Sequence, residues 1–286
     1  MDRVNLKAYA KINLGLDVLR KREDGYHEVK MLMQTVDLYD ELQLEIVDED
    51  IIELTTNIEG LEVDERNLVY KAIKLMKDEY TINSGVRAKL IKNIPIAAGM
   101  AGGSTDCAAA IKGMNILFNL GLNEEDMRKQ GVKLGADVPY CIMGGTALAE
   151  GIGEILKPLD RIKGDYIVIA KPDIAVSTKY VYDNLDLGEE ANHPDIDMLI
   201  HCIEEGNKQD LYRNMGNILE SVTAKKYKVI KDIKEELLQA GAVNALMSGS
   251  GPTVFAIFND KKTAEQACKG VSELYNLDIA KVTTLC

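Results

Sequence analysis

From Val4 to Val18 every even position is apolar (Val4, Leu6, Ala8, Ala10, Ile12, Leu14, Leu16, Val18), the alternation of a strand with one buried face. The odd positions carry Lys7, Tyr9, Lys11, Asn13 and Asp17. Lys11 and Asn13 then lie about 6.5 Å apart on one side, so a lysine and an amide point together. An Asp24-Gly25 turn signal follows, with Tyr26-His27 at the loop edge. Short strand-like runs cover Leu42 to Val47 and Ile51 to Thr55. Asn67 can cap a helix whose Leu68, Val69, Ala72, Ile73 and Met76 share one face.

Val86, Ala88 and Leu90 alternate as another strand, which runs into a glycine-rich loop and then an alanine-rich helix from Cys107. A further helix is predicted from Asn123. Gly135-Ala136-Asp137-Val138-Pro139 ends it in a turn, because Pro139 disfavours helical geometry at Val138. Gly144-Gly145 reads as a hairpin region. Beyond about residue 160 the order becomes strand (Tyr166 to Ala170), helices, strands (Ala242 to Met247 and Thr253 to Phe258), helix and strand (Ile279 to Thr284). That order predicts an α+β sandwich of the split βαβ kind. The helix from Tyr227 to Ala240 ends on Gly241, a natural left-handed cap.

A chain of 286 residues exceeds one ordinary core, so two domains are expected, with the change of pattern setting a division at 1–160 and 161–286. The balance of 34 basic against 46 acidic residues gives −12, which argues against a nucleic-acid partner. No apolar window reaches the length a membrane span needs and the N-terminus has no apolar signal core, so a cytoplasmic protein without a membrane partner is expected. The cysteines at 107, 141, 202, 268 and 286 form no Cys-x-x-Cys pair and the three histidines share no ligand spacing, which sets redox and transition-metal chemistry aside.

The loop Pro95-Ile96-Ala97-Ala98-Gly99-Met100-Ala101-Gly102-Gly103-Ser104-Thr105 lets backbone approach an anion and aims helix-start N–H groups at it. Its spacing is neither Gly-x-Gly-x-x-Gly nor a Walker A loop. A tight turn without a ligand would use the same glycines. A second such loop, Met247-Ser248-Gly249-Ser250-Gly251-Pro252-Thr253, joins two strands, and neither Ser104 nor Ser250 has the flanking glycines of a hydrolase nucleophile.

Three motifs in fixed order, Ala8-Tyr9-Ala10-Lys11-Ile12-Asn13-Leu14, then Pro95 to Ala109, then Met247 to Phe255, resemble the GHMP small-molecule kinases. Lys11 to Leu14 followed by Asp24-Gly25-Tyr26-His27, together with Gly135 to Pro139, is similar to the branch acting on a cytidine-diphosphate-linked methylerythritol. The resemblance implies a two-domain α+β fold, with an N-terminal ribosomal protein S5 domain 2-like part, a C-terminal ferredoxin-like part and an active site in the interdomain cleft. It implies transfer of the ATP γ-phosphoryl group, with Mg²⁺, to a polyol hydroxyl in non-mevalonate isoprenoid synthesis. Where the family often has Pro and Leu, this chain has Tyr9 and Met100.

Carried over residue by residue, the resemblance makes Asp137 the catalytic base and Lys11 its cationic partner, with Asn13 holding substrate. Read alone, Asp137 is a turn or capping residue, Lys11 a solvated lysine and Asn13 an exposed amide. Tyr26 and Tyr182 match the family's base-stacking positions, His27 its hydrogen-bonding residue, and Thr178 lines the same pocket. Read alone, Tyr26 is a half-buried turn aromatic and Tyr182 a core residue. Pro95 to Thr105 would wrap the ATP phosphates, with Ser104 and Thr105 near phosphate or magnesium. The nearest rival is another GHMP kinase, acting on homoserine, mevalonate or a sugar. A rival of another class is a catalytically inactive nucleotide-binding module.

Overall fold

The structure, a computed structural model, describes residues 2–188 and 191–286. Met1, Glu189 and Glu190 lie outside it. Two compact units interleave along the chain. The first holds the chain up to Ala10, Leu38–Ile96 and Ala101–Gly144, and the second holds Lys11–Asp37, Ala97–Met100 and Gly145–Cys286. The compact units therefore do not follow a cut at residue 160. Two long strands, β1 (Arg3–Lys21) and β2 (His27–Val47), each have a part in both.

In the first unit these strands are joined by β3 (Ile52–Thr56), α1 (Leu68–Glu79), β4 (Gly85–Ile91), α2 (Gly102–Leu117), α3 (Glu124–Val132) and α4 (Val138–Met143). β4 runs antiparallel to the end of β2, with Glu41 opposite Ile91 and Val47 opposite Gly85, and β3 lies parallel on its other side. Leu42, Leu44, Val86, Ala88 and Leu90 face a core completed by Val69, Ala72, Ile73 and Met76 of α1 and Cys107, Ala108, Ala110, Ile111 and Met114 of α2. The small residues of α2 permit this close approach: a Cβ on Gly113 would stand 2.6 Å from Leu44. Each buried Leu, Ile or Met contributes about 1.5–3 kcal/mol by leaving water.

The expected cap at Asn67 is present, its side chain accepting from the amide of Val69, and Asn123 caps the helix that follows it by accepting from the amide of Asp126. Pro139 requires a correction. It occupies the first turn of α4, where its missing N–H has no intrahelical acceptor and its fixed φ suits the helix. The turn therefore starts a helix at Val138. Gly144 and Gly145, both at positive φ, connect α4 to β5 (Thr146–Glu150). The hairpin predicted there lies one strand later, between β5 and β6 (Ile155–Pro158). The sequence also understated β2, which begins at His27: Met31 to Gln34 pair with β5 and are buried on both faces, so alternation is lost.

In the second unit the chain continues through β7 (Tyr166–Pro172), α5 (Thr178–Asp183), α6 (Ile196–Glu204), α7 (Lys208–Arg213), β8 (Gly216–Asn217), α8 (Glu220–Lys226), α9 (Lys228–Gln239), β9 (Asn244–Met247), β10 (Val254–Phe258), α10 (Lys261–Leu274) and β11 (Leu277–Thr284). Strands β11-β7-β10-β9 form an antiparallel sheet in that order. Helices α5 to α9, with β8 between α7 and α8, connect β7 to β9, and α10 connects β10 to β11, which gives the ferredoxin-like sheet order expected. Ile230, Ile233 and Leu237 of α9, and Ala264, Ala267 and Val271 of α10, recur at helical spacing and are buried. β8 adds to β1 in parallel at Gly15 and Leu16. Here β1 departs from its alternation, for Lys11 to Val18 are all buried. Ile196 and Leu199 of α6 lie against Gly15, and His193 Nδ1 stands 2.7 Å from Asp17. No helix among the described residues is long and apolar enough to cross a membrane.

Candidate active site

The glycine-rich loop is the most conformationally demanding segment of the chain. Ala97 and Ala101 have φ of 51° and 57°, and Gly99 has 71°. Left-handed geometry is disfavoured for alanine, and such strain gathers at sites where backbone must face a ligand. Ala101 is also the N-cap of the 16-residue α2, and it offers no side-chain cap. The first intrahelical bond there runs from the Thr105 amide to the Ala101 carbonyl at 2.9 Å, leaving the amides of Gly102, Gly103 and Ser104 for another acceptor. Three spare donors and the positive end of the helix dipole suit an anion.

The loop is tied down through backbone groups. The Thr105 hydroxyl donates to the Tyr9 carbonyl at 2.6 Å, and the Lys11 amide donates to the Met100 carbonyl at 3.2 Å. Positions 9 and 100 thus contribute carbonyls, which a change of side chain leaves in place. Thr105 is buried with its hydroxyl engaged, while Ser104 is half-buried. Pro95 is half-buried, Ile96 and Ala97 are exposed, and Ala98 is buried.

Lys11 and Asn13 do point together: Lys11 Nζ donates to Asn13 Oδ1 at 2.7 Å. Neither is solvated, with Lys11 5% and Asn13 0% exposed. An ammonium buried at this depth against a neutral amide has spare donors for an anionic partner. Asp137, half-buried, is the N-cap of α4, but its carboxylate accepts no capping hydrogen bond. An aspartate at that position ordinarily caps.

In the second unit His27 and Tyr182 come together, ring centroids 5.0 Å apart at 42°. Tyr182 is half-buried and Tyr26 is 60% exposed, so neither is a core residue. Burial and then the charge of Lys21 lower the His27 pKa below the ordinary histidine value, which favours the neutral ring. Thr178 opens α5, capped by Ser177, and its hydroxyl stands 2.8 Å from that of Ser250 in the second glycine loop.

That second loop has a job which its sequence did not disclose. Ser248 Oγ donates to the Gly99 carbonyl at 2.9 Å, and a Cβ on Gly99 would meet the Ser248 carbonyl at 2.2 Å. Asn217 holds the loop from β8, donating to the carbonyls of Met247 and Gly249 at 2.8 Å each. The two glycine loops therefore brace one another backbone to backbone. Asn217 lies in no motif, and only the two-glycine signature of residues 249 and 251 hinted at such an approach.

The model of the GHMP kinases N terminal domain matches residues 67–145, and that of the GHMP kinases C terminal domain matches 199–277. The fold and the loop thus define a GHMP small-molecule kinase. A 4-diphosphocytidyl-2-C-methyl-D-erythritol kinase of Lachnoclostridium phytofermentans is 52% identical over 93% of this chain and 92% of its own. One of Clostridium perfringens (strain 13) is 48% identical over 98% and 97%. A crystal structure of 4-(cytidine 5'-diphospho)-2C-methyl-D-erythritol kinase superposes with a TM-score of 0.83 at 29% identity, covering 99% of each chain. A homoserine kinase from Cytophaga hutchinsonii, at 23% identity and TM-score 0.82, covering 100% of this chain and 95% of its own, shares the fold. The chain belongs to the 4-diphosphocytidyl-2-C-methyl-D-erythritol kinases within the GHMP kinase family.

Proposed function

We propose that this chain transfers the γ-phosphoryl group of ATP to the 2-hydroxyl of 4-(cytidine 5'-diphospho)-2-C-methyl-D-erythritol, a cytoplasmic step toward isoprenoid precursors. The relatives' common name supports the substrate. The observation that carries the chemistry is the uncapped start of α2 behind the strained glycine loop. Residues 1–160 act as the N-terminal, ATP-binding domain and 161–286 as the C-terminal domain, one family match falling on each side.

Phosphoryl transfer asks the protein for alignment and charge stabilisation. Residues 95–105 cradle the ATP phosphates. Asp137 takes the proton from the attacking hydroxyl, its carboxylate kept from helix capping for that purpose. Lys11, oriented by Asn13, offsets negative charge that develops on the transferring group. Tyr26 and Tyr182 hold the cytosine face, and neutral His27 hydrogen-bonds its edge, with Thr178 lining the pocket.

Among the described residues no three His, Cys, Asp or Glu side chains gather as a metal cage. The uncapped start of α2 with the half-buried Ser104 in its first turn fits magnesium, which takes most of its ligands from phosphate oxygens and water; Ser104 is the protein group that would hold it. When bound, the ion neutralises phosphate charge.

A coupled ADP-release assay with Mg-ATP, offering the cytidine-diphosphate compound beside methylerythritol phosphate, homoserine and mevalonate, tests the reading. Turnover of the cytidine compound alone is expected. Turnover of another alcohol would retain the kinase chemistry and discard the substrate. Silence with all four would leave a nucleotide-binding module.

A further inference from the structure

We propose that a buried trio, Lys92, Asp40 and Asp106, is a clamp that pins both ends of the phosphate loop and thereby sets the affinity for nucleotide phosphates without touching the nucleotide. The proposal rests on the reading of residues 95–105 as the ATP phosphate loop.

All three side chains are withdrawn from water, with exposures of 5%, 0% and 4% for Lys92, Asp40 and Asp106. Asp40, on β2, governs the loop's entry: its Oδ1 accepts the amides of Asn93 at 2.5 Å and Ile94 at 2.8 Å, where the chain leaves β4. Its Oδ2 accepts from Lys92 Nζ. The same ammonium governs the loop's exit, donating at 2.5 Å to Oδ2 of Asp106 in the second turn of α2. A Cβ on Gly102, the first residue of α2, would come 3.3 Å from Lys92 Nζ and 3.1 Å from Ile94. The ammonium thus lies directly beneath the helix start whose amides are left uncapped.

A carboxylate so near that start would oppose a bound phosphate. The Lys92 ammonium, donating to both carboxyls, offsets that opposition. Two buried charge-assisted bonds hold the loop's termini at fixed separation, which lowers the cost of ordering the spare amides around phosphate. The buried Oδ1 of Asp106 has no hydrogen-bond partner, so this residue's place is set by its contact with Lys92.

Removing Lys92 would strand two buried carboxyls, so the decisive variant is at Asp106. Calorimetric titration of the full chain with ADP and with adenosine, at one fixed salt and magnesium concentration, separates the phosphate contribution from that of the base and sugar. For Asp106→Ala we expect ADP to bind about tenfold more weakly with adenosine unchanged, a loss of one decade confined to the phosphates. Asp106→Asn, whose amide oxygen can still accept from Lys92, is expected to recover most of the ADP affinity. Equal losses for both ligands, or no loss for ADP, would overturn the clamp and leave an ordinary structural ion pair. Should Asp106→Ala not fold, Asp106→Ser, whose hydroxyl falls short of the ammonium, carries the same comparison. A parent protein that binds ADP no better than adenosine would overturn the phosphate-loop reading itself, and the clamp with it.

Discussion

Helices α1 and α2 pack in one core, yet their first turns are built for opposite ends. At α1, Asn67 accepts the Val69 amide at 2.8 Å and closes the helix on itself. At α2 the equivalent position is Ala101, left-handed and without a capping group, followed by Gly102 and Gly103. α3 and α4 repeat the contrast, with Asn123 capping one while Asp137 leaves the other uncapped. A missing cap forfeits roughly 1 kcal/mol, and a left-handed alanine adds to that cost. The unit tolerates both deficits at the two helix starts that also carry the family's chemical motifs. The lesson is that a polar residue which could cap and does not is a better guide to chemistry than its presence in a turn.

The largest effect that would sharpen the contrast is at α4. Asp137→Asn is expected to lower kcat by about 10²-fold or more while binding of both substrates holds, read from steady-state kinetics and direct titration. Near-normal turnover would mean that the uncapped carboxylate is not the base. At α2, Gly99→Ala forces a Cβ to 2.2 Å from the Ser248 carbonyl, so the two glycine loops must part. A fall of about tenfold to hundredfold in kcat/KM for ATP is expected, since small misplacement of aligned groups costs rates of that order. An unchanged value would show that the loop does not need its brace.

Tyr26→Ala tests a residue outside both helix starts. Loss of one base-stacking face is expected to raise Kd for the cytidine compound about tenfold, with Kd for ATP unchanged. The smallest effect falls on the capped side. Asn67→Ala is expected to cost about 1 kcal/mol in urea denaturation and to leave KM for ATP alone. A change in KM would erase the distinction between a closed start and an open one.

Much of this was legible before the fold was known. β1, the cap at Asn67, the helix from Asn123, the strand-loop-helix at residue 95 and the ferredoxin-like order of the C-terminal elements all rest on local periodicity and local hydrogen bonding. Elements whose surroundings overrode their pattern were less legible. β2 was seen only at its end, because Met31 to Gln34 are covered on both faces and show no alternation. Pro139 was taken to oppose a helix, since the cost of proline depends on whether the missing N–H was needed, and in a first turn it is not. The branch of kinase was readable from Lys11 to Leu14 and Asp24 to His27, whereas the bracing of Gly99 by Ser248 and the trio around Lys92 lie in no single stretch.

The sequence by itself determined β1, β4, α1, α2 and the order of the C-terminal strands and helices, the cap at Asn67, and which residue types are available for phosphate, base and proton. Those properties depend on neighbours within about one turn or one pleat, so short-range spacing encodes them. Only the tertiary structure decided that the compact units interleave, that Lys11 and Asn13 are buried together, that His27 meets Tyr182, and that Asp40 and Asp106 share one ammonium across 52 and 14 residues of chain from Lys92. Such contacts become favourable only after the chain has collapsed and water has been removed, when a buried charge must find a partner wherever the packed strands and helices bring one within reach.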